Sequence, residues 1–170
     1  MNWPLVLAAL GSAAGLAGCY ALMALVKGSP QKLLGEAFKM PDVHLRYTPD
    51  ALYQTFDTAG TAGRPLMRRY WLLDFGLIIF LTAVMIAAAG NLVPKDSWVY
   101  PLMNALALAR SAADIAEDLL LLALLKRYPE HRNGMARLAS AATGVKHALL
   151  AAWLAPLFIQ LFFTAFHISL

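Results

Sequence analysis

Residues 98–125 read WVYPLMNALALARSAADIAEDLLLLALL, an apolar stretch with a cluster of charges in its middle. A helix crosses a bilayer with about 20 apolar residues, so the stretch is long enough to do so. Its charges are one cation and three carboxylates, namely Arg110, Asp114, Glu117 and Asp118. A charge near the bilayer centre costs at least about 2.5–3.5 kcal/mol, so such residues face a bundle interior, a partner or a water-filled cavity. The stretch predicts a membrane helix with its polar face turned into a bundle.

The composition of the whole chain also favours a membrane protein. The 170 residues are 60% hydrophobic and only 14% charged, whereas soluble domains are about 25% charged. This length suits one domain, and we expect a single polytopic domain over residues 1–170. The net charge of +4 does not indicate nucleic-acid binding, because the basic residues are concentrated in two loops beside apolar segments.

Four apolar segments are long enough to cross the membrane as helices. They cover residues about 3–26, 70–93, 98–125 and 138–168. The predicted fold class is therefore an all-α integral membrane protein, a four-transmembrane-helix bundle with membrane lipids as its surroundings.

The basic residues predict how the bundle is oriented. The connection over residues 28–69, together with Lys27, carries seven Lys and Arg residues, and the connection between the third and fourth segments carries four. The opposite side has only Lys95. Because basic loops stay in the cytoplasm, we expect both termini outside and both basic loops inside, in a bacterial inner membrane.

The cytoplasmic connection 28–69 is itself predicted to contain short amphipathic helices. Ser29 and Pro30 begin the first, whose apolar stripe suits a helix lying on the membrane surface. Thr48, Pro49 and Asp50 repeat the start signal, and Gly60 is typical of a stop. We therefore expect two short helices ahead of the second membrane segment.

Helical spacing and hairpin pairing predict which side chains meet. Arg110, Asp114 and Glu117 share a broad face of one helix. Short connections make neighbouring helices antiparallel, which sets Glu117 level with Lys146 of the fourth segment and brings Asp74 of the second to a similar depth. The predicted ligand-binding layer consists of Asp74, Arg110, Asp114, Glu117, Asp118 and Lys146, with Thr143 and His147 beside it.

The charges of this layer do not cancel. Four carboxylates face two cations, Arg110 and Lys146. A buried carboxylate without a partner takes up a proton, unless His147 becomes cationic, a metal enters or a cationic ligand binds. The excess of negative charge therefore predicts a pocket that binds or transports an amphiphilic or cationic small molecule. Transport through so few helices favours a homo-oligomer.

An enzyme acting on a lipid or isoprenoid is an alternative hypothesis. Asp114 or Glu117 would serve as general acid or base, Arg110 or Lys146 would stabilise negative charge, and His147 would carry protons. In a metal-dependent form, the carboxylates of Asp74, Asp114, Glu117 and Asp118 would hold Mg²⁺. The sequence contains no phosphate-binding loop, nucleophile elbow or haem-attachment motif and assigns no cofactor.

A third hypothesis is an accessory or assembly subunit of a membrane complex. Gly11, Gly15 and Gly18 in the first segment permit close helix packing, either within the chain or with a partner. In this case Arg110 with Asp114 and Glu117 with Lys146 would be purely structural ion pairs.

Overall fold

The structure is a computed structural model that describes residues 10–11, 13–15, 17–18, 21, 24 and 40–165. A 3-10 turn over Pro41–Val43 is followed by three helices, α1 (Pro49–Leu92), α2 (Val99–Arg127) and α3 (Asn133–Ala165). The described residues between 10 and 24 are helical as well, and the described part of the chain contains no strand. The all-α prediction is confirmed.

Helix α1 starts where the sequence predicts, but at Gly60, where a stop was predicted, it bends and continues as a helix. The Thr48 hydroxyl accepts a hydrogen bond from the backbone N–H of Ala51 at 3.2 Å, and Pro49 occupies the first turn. Gly60 has φ 60° and ψ −168°, a conformation of positive φ and extended ψ that is essentially restricted to glycine. The bend divides α1 into a short arm, 49–59, and a long arm, 61–92.

The long arm begins well before the apolar segment predicted at 70–93. Its first residues include Arg64, Arg68 and Arg69, which are polar yet good helix formers. Apolar content thus marks the part of the helix suited to a bilayer, and the helix itself extends further. Helix α3 likewise starts at Asn133, ahead of the predicted 138.

Several predicted features fall outside the described residues. These are most of the first segment, the surface helix that begins at Ser29, and the last residues of the fourth segment.

Within the described part of the chain, two helices are long and apolar enough to cross a membrane. They are α1, over Pro49–Leu92, and the Asn133–Pro156 part of α3. Helix α2 has 29 residues and is also long enough, but the charged residues at its centre distinguish it from these two helices.

The middle of helix α2 buries its charged side chains together with apolar ones such as Ala107 and Leu121, and it exposes other leucines. Asp114, Glu117 and Asp118 are at most 1% exposed, whereas Leu108 is 57% and Leu119 is 55% exposed. Buried carboxylates are rare in a protein folded in water, where charged side chains are mostly exposed.

The short arm of α1 folds back onto the connection between α2 and α3. Phe56 is buried in one cluster with Trp71 and Leu124. The Tyr53 ring stacks on His131 with 3.8 Å between centroids, and its hydroxyl accepts the backbone N–H of Arg132 at 2.5 Å. These contacts close one end of the bundle, which we call the basic end because Lys126, Arg127, Arg132 and Arg137 lie there.

The opposite end has its own apolar cluster, in which Met85 and Ala89 of α1 pack with Met103 of α2 and Trp153 of α3. Closer to the middle, Gly15 lies against the Phe80 ring so tightly that an added Cβ would come within 2.3 Å of a ring carbon. The predicted close packing therefore holds at Gly15, whereas a Cβ added at Gly11 or Gly18 would meet no atom of the described residues within 4 Å.

Candidate functional site

Helix α2 supplies most of the charged residues of the site. Arg110, Asp114, Glu117 and Asp118 follow each other at helical spacing and are all buried. This spacing places them on the side of α2 that packs against α1 and α3. The inward orientation of the cluster, predicted from its charge, is confirmed.

Lys146 of α3 joins two of these carboxylates. Its Nζ lies 2.7 Å from Oδ1 of Asp114 and 2.5 Å from Oε2 of Glu117. The prediction that Glu117 and Lys146 lie at the same depth on antiparallel helices is therefore confirmed. Thr143, one turn earlier on α3, donates its hydroxyl to Oε1 of Glu117 at 2.5 Å.

Asp114 is held between two cations. Arg110 approaches its second oxygen, Oδ2, with 2.6 Å between that atom and Nη2, so each carboxylate oxygen has one cationic partner. We call this chain of contacts the paired half of the site: Arg110, Asp114, Lys146, Glu117 and Thr143. Its charges balance, with two cations and two carboxylates.

Asp118 contrasts with this arrangement. It is 0% exposed, and neither of its carboxyl oxygens has a hydrogen-bond partner among the described residues. Asp74 of α1 is 5% exposed and is in none of the ion pairs formed among the described residues. The charges of Asp74 and Asp118 act on each other across the α1–α2 contact.

Asp42 is a further member of the site that the sequence did not reveal. It lies in the Pro41–Val43 turn and is 8% exposed, close to Trp71 and within electrostatic range of Lys146. Burial raises the pKa of Asp42, and the Lys146 ammonium opposes this shift. Its Oδ1 has no hydrogen-bond partner among the described residues.

The segment that carries Asp42 is attached to α3. The backbone N–H of Tyr47 donates to the Ser140 hydroxyl at 3.0 Å, and the Tyr47 side chain reaches the neighbourhood of Thr143. Burial raises the pKa of the Tyr47 phenol, so this group stays neutral.

Asp42, Asp74 and Asp118 form what we call the unpaired half of the site. They contribute three potential negative charges, while the two cations, Arg110 and Lys146, contact Asp114 and Glu117. The two halves together contain five carboxylates and two cations. The structure thus separates the site into a balanced part and an acidic part.

His147 does not join the charged residues. Its Nδ1–H donates to the carbonyl of Thr143 on its own helix at 2.7 Å. No contact between His147 and a carboxylate is present among the described residues, so its predicted role as a proton carrier gains no support from the structure.

The described residues include no group of three or more His, Cys, Asp or Glu side chains placed to hold a metal ion. The Mg²⁺ hypothesis for Asp74, Asp114, Glu117 and Asp118 therefore gains no support. One physical reason is that Arg110 and Lys146 already occupy both oxygens of Asp114.

Comparison of the chain with protein-family models, curated proteins and solved structures finds no match. The chemistry of the site is therefore argued from its geometry.

Proposed function

We propose that this protein is an integral membrane protein that binds, and in an oligomer transports, a cationic small molecule with an apolar body. Four membrane helices would form the bundle, with both termini outside and the basic loops in the cytoplasm of a bacterial cell. Support for the membrane location comes from α2, where leucines are exposed and carboxylates are buried.

The observation that carries the proposed function is Asp118, a fully buried carboxyl group without a hydrogen-bond partner among the described residues. An isolated buried carboxylate is so unfavourable that it takes up a proton or acquires a positive partner. Asp74, on the facing helix, is a second buried carboxyl group outside the ion pairs of the described residues. A bound cation would neutralise both groups at once.

The surroundings of the unpaired half favour an organic cation. Trp71 is fully buried beside Asp42, and Tyr70 lies next to the same carboxyl group. Tryptophan and tyrosine side chains add large apolar surface beside a polar group. Aromatic rings and carboxylates together suit a ligand that carries positive charge on an apolar body.

Arg110 and Lys146 already neutralise the carboxylates of the paired half, so these carboxylates are not expected to bind the ligand. Both oxygens of Asp114 are occupied, and Glu117 receives Lys146 and Thr143. The proposed binding residues are therefore Asp42, Asp74 and Asp118, while Asp114 and Glu117, the acceptors favoured by the sequence, hold the helices in place.

Titration calorimetry of the detergent-purified full chain with tetraphenylphosphonium tests this proposal. We expect Asp118→Asn and Asp74→Asn each to weaken binding at least about tenfold, equivalent to about 1.4 kcal/mol. Asp96→Asn, which changes an exposed carboxylate in the connection between α1 and α2, is the matched control and should bind like the wild type.

Triphenylphosphine oxide, which has similar rings and no net charge, separates cation binding from partition into detergent. The wild type should bind it no better than the Asp118→Asn variant does. Equal affinity of the wild type and both Asn variants for tetraphenylphosphonium would contradict the proposal.

A further inference from the structure

An open groove separates α1 from α2 at the basic end. Its volume is about 990 Å³, and its walls are formed by α1 between Thr61 and Leu72 and by α2 between Leu122 and Lys126. No residue of the paired or unpaired half lines it.

One part of the groove is strongly basic. Arg64, Arg68 and Arg69 come from α1 and Lys126 comes from α2. None of the four forms an ion pair with a carboxylate among the described residues, and the Arg64 guanidinium lies 4.8 Å above the Tyr128 ring instead. The groove therefore concentrates positive charge that the described part of the chain does not neutralise.

The other part of the groove is apolar. Leu72, Leu122 and Leu125 line it, and Leu72 is 51% exposed although it is a large hydrophobic side chain. Cations and exposed leucines on one continuous wall match an amphiphile, with an anionic group at one end and a hydrocarbon chain at the other.

We propose that this groove binds the phosphate headgroup of an anionic phospholipid. Arginine guanidinium groups form paired hydrogen bonds with phosphate oxygens, and basic pockets between membrane helices on the cytoplasmic side are suited to anionic lipid headgroups. An acyl chain would lie along the leucines. This proposal depends on the membrane location but not on cation binding at Asp118.

The leucine wall decides between a lipid and free phosphate as the occupant. A free phosphate ion would use only the basic part of the groove and would leave Leu72 exposed to water. A phospholipid covers both parts, so the groove as a whole is complementary to the lipid.

Native mass spectrometry of the full chain in mild detergent with equimolar phosphatidylglycerol and phosphatidylcholine tests the proposal. The wild type should retain phosphatidylglycerol preferentially. Arg68→Gln/Arg69→Gln should lower this preference about 30-fold, since each basic residue near an anionic lipid surface is worth about fivefold in affinity. Lys126→Gln, on the other wall, should lower it about fivefold.

Arg132→Gln/Arg137→Gln removes the same charge from exposed positions at the same end of the molecule and is the control for general electrostatic attraction. It should leave the preference within twofold of the wild type. An equal loss in the control pair, or equal retention of both lipids by the wild type, would overturn the proposal.

Inorganic phosphate at 10 mM provides a second arm. It should not displace phosphatidylglycerol, because it cannot replace the contacts of the acyl chain. Full displacement would assign the groove to a free anion and would overturn the lipid proposal. If the groove does not bind phospholipid, binding of tetraphenylphosphonium at Asp118 should be unaffected. The two proposals can therefore be tested independently.

Discussion

At the scale of single residues, Lys146 determines how the buried charges are arranged. Its ammonium group contacts Asp114 and Glu117 from a different helix, while Arg110 contacts Asp114 from the same helix. Removal of Lys146 would leave Glu117 with Thr143 as its sole polar partner among the described residues. Lys146 therefore makes two buried carboxylates compatible with the packing of α2 against α3.

We predict that Lys146→Met lowers the free energy of unfolding by about 3–5 kcal/mol, the usual cost of removing one partner of a buried ion pair. Arg132→Met, which breaks the exposed pair with Glu130, is the control and should cost about 0–1 kcal/mol. Unfolding of both variants in detergent measures the difference. Adding Glu117→Gln to Lys146→Met should recover part of the loss, and equal losses for Lys146→Met and Arg132→Met would contradict the prediction.

We also predict a pH dependence that originates at Asp42. Burial raises the pKa of this carboxyl group above its ordinary value of 3.8. At pH values between the ordinary pKa and the raised pKa of the folded protein, the folded protein holds more protons than the unfolded chain. The contribution of Asp42 to stability therefore falls as the pH rises. Asp42→Asn should therefore gain stability relative to the wild type as the pH increases from 4 to 8.

Thermal unfolding in detergent across this pH range measures the effect of Asp42→Asn. The exposed substitution Asp96→Asn should give a curve parallel to that of the wild type. A curve for Asp42→Asn that is also parallel would show that the buried carboxyl group does not titrate differently in the folded protein.

The members of the site were not equally predictable from the sequence. Asp114, Glu117 and Asp118 lie on one helix, so helical periodicity places them together, and the short hairpin between α2 and α3 sets the level of Lys146. Asp42 depends on the path of a loop across other helices. Asp42 follows a proline in a turn, where no helical periodicity indicates which side chains are buried. Asp50 also follows a proline, so this local pattern does not distinguish a buried aspartate from an exposed one.

At the scale of elements, the bend at Gly60 is what allows the short arm of α1 to cover the basic end. The start at Thr48 and the break at Gly60 follow from local signals and were predicted. The packing of Tyr53 and Phe56 against the α2–α3 connection was not, because amphipathic spacing shows which face is apolar but not what that face contacts.

We predict that Gly60→Ala lowers the free energy of unfolding by about 1–3 kcal/mol, because positive φ combined with ψ near 180° is essentially restricted to glycine. An added Cβ would have no neighbour within 4 Å, so backbone strain is the whole effect. Gly134→Ala, in the first turn of α3 and equally free of neighbours, is the control and should be neutral or stabilising. Wild-type stability of Gly60→Ala in chemical unfolding would contradict this account.

At the scale of the whole molecule, charged side chains are buried at the level where large apolar side chains are exposed, which supports the proposed membrane location. The large hydrophobic side chains Leu108, Ile115 and Leu119 of α2 are exposed, and so is Val145 of α3. Carboxylates and cations occupy the interior between the helices. The sequence predicted this arrangement from the cost of charge in a bilayer.

The proposed orientation predicts which connections face the cytoplasm. In a Cys19→Ser background, the Asp96→Cys variant should react with a membrane-impermeant maleimide added to spheroplasts, and the Glu130→Cys variant should not. The physical reason is the excess of basic residues in the connection at 126–137, which favours its retention inside. Labelling of both variants after lysis is the control, and the reverse pattern in spheroplasts would contradict the orientation.

The attachment of the Asp42 segment has a consequence for how water reaches the interior. The backbone hydrogen bond from Tyr47 to Ser140 holds this segment on α3, while the ion pairs of Lys146 lie between α2 and α3 alone. Proteins open in local units that cost less free energy than global unfolding. Detachment of residues 40–48 would withdraw Met40 from the apolar cluster at the basic end and would hydrate Asp42, but it would leave the ion pairs between α2 and α3 in place. We therefore expect hydration of the site to cost less free energy than unfolding of the bundle.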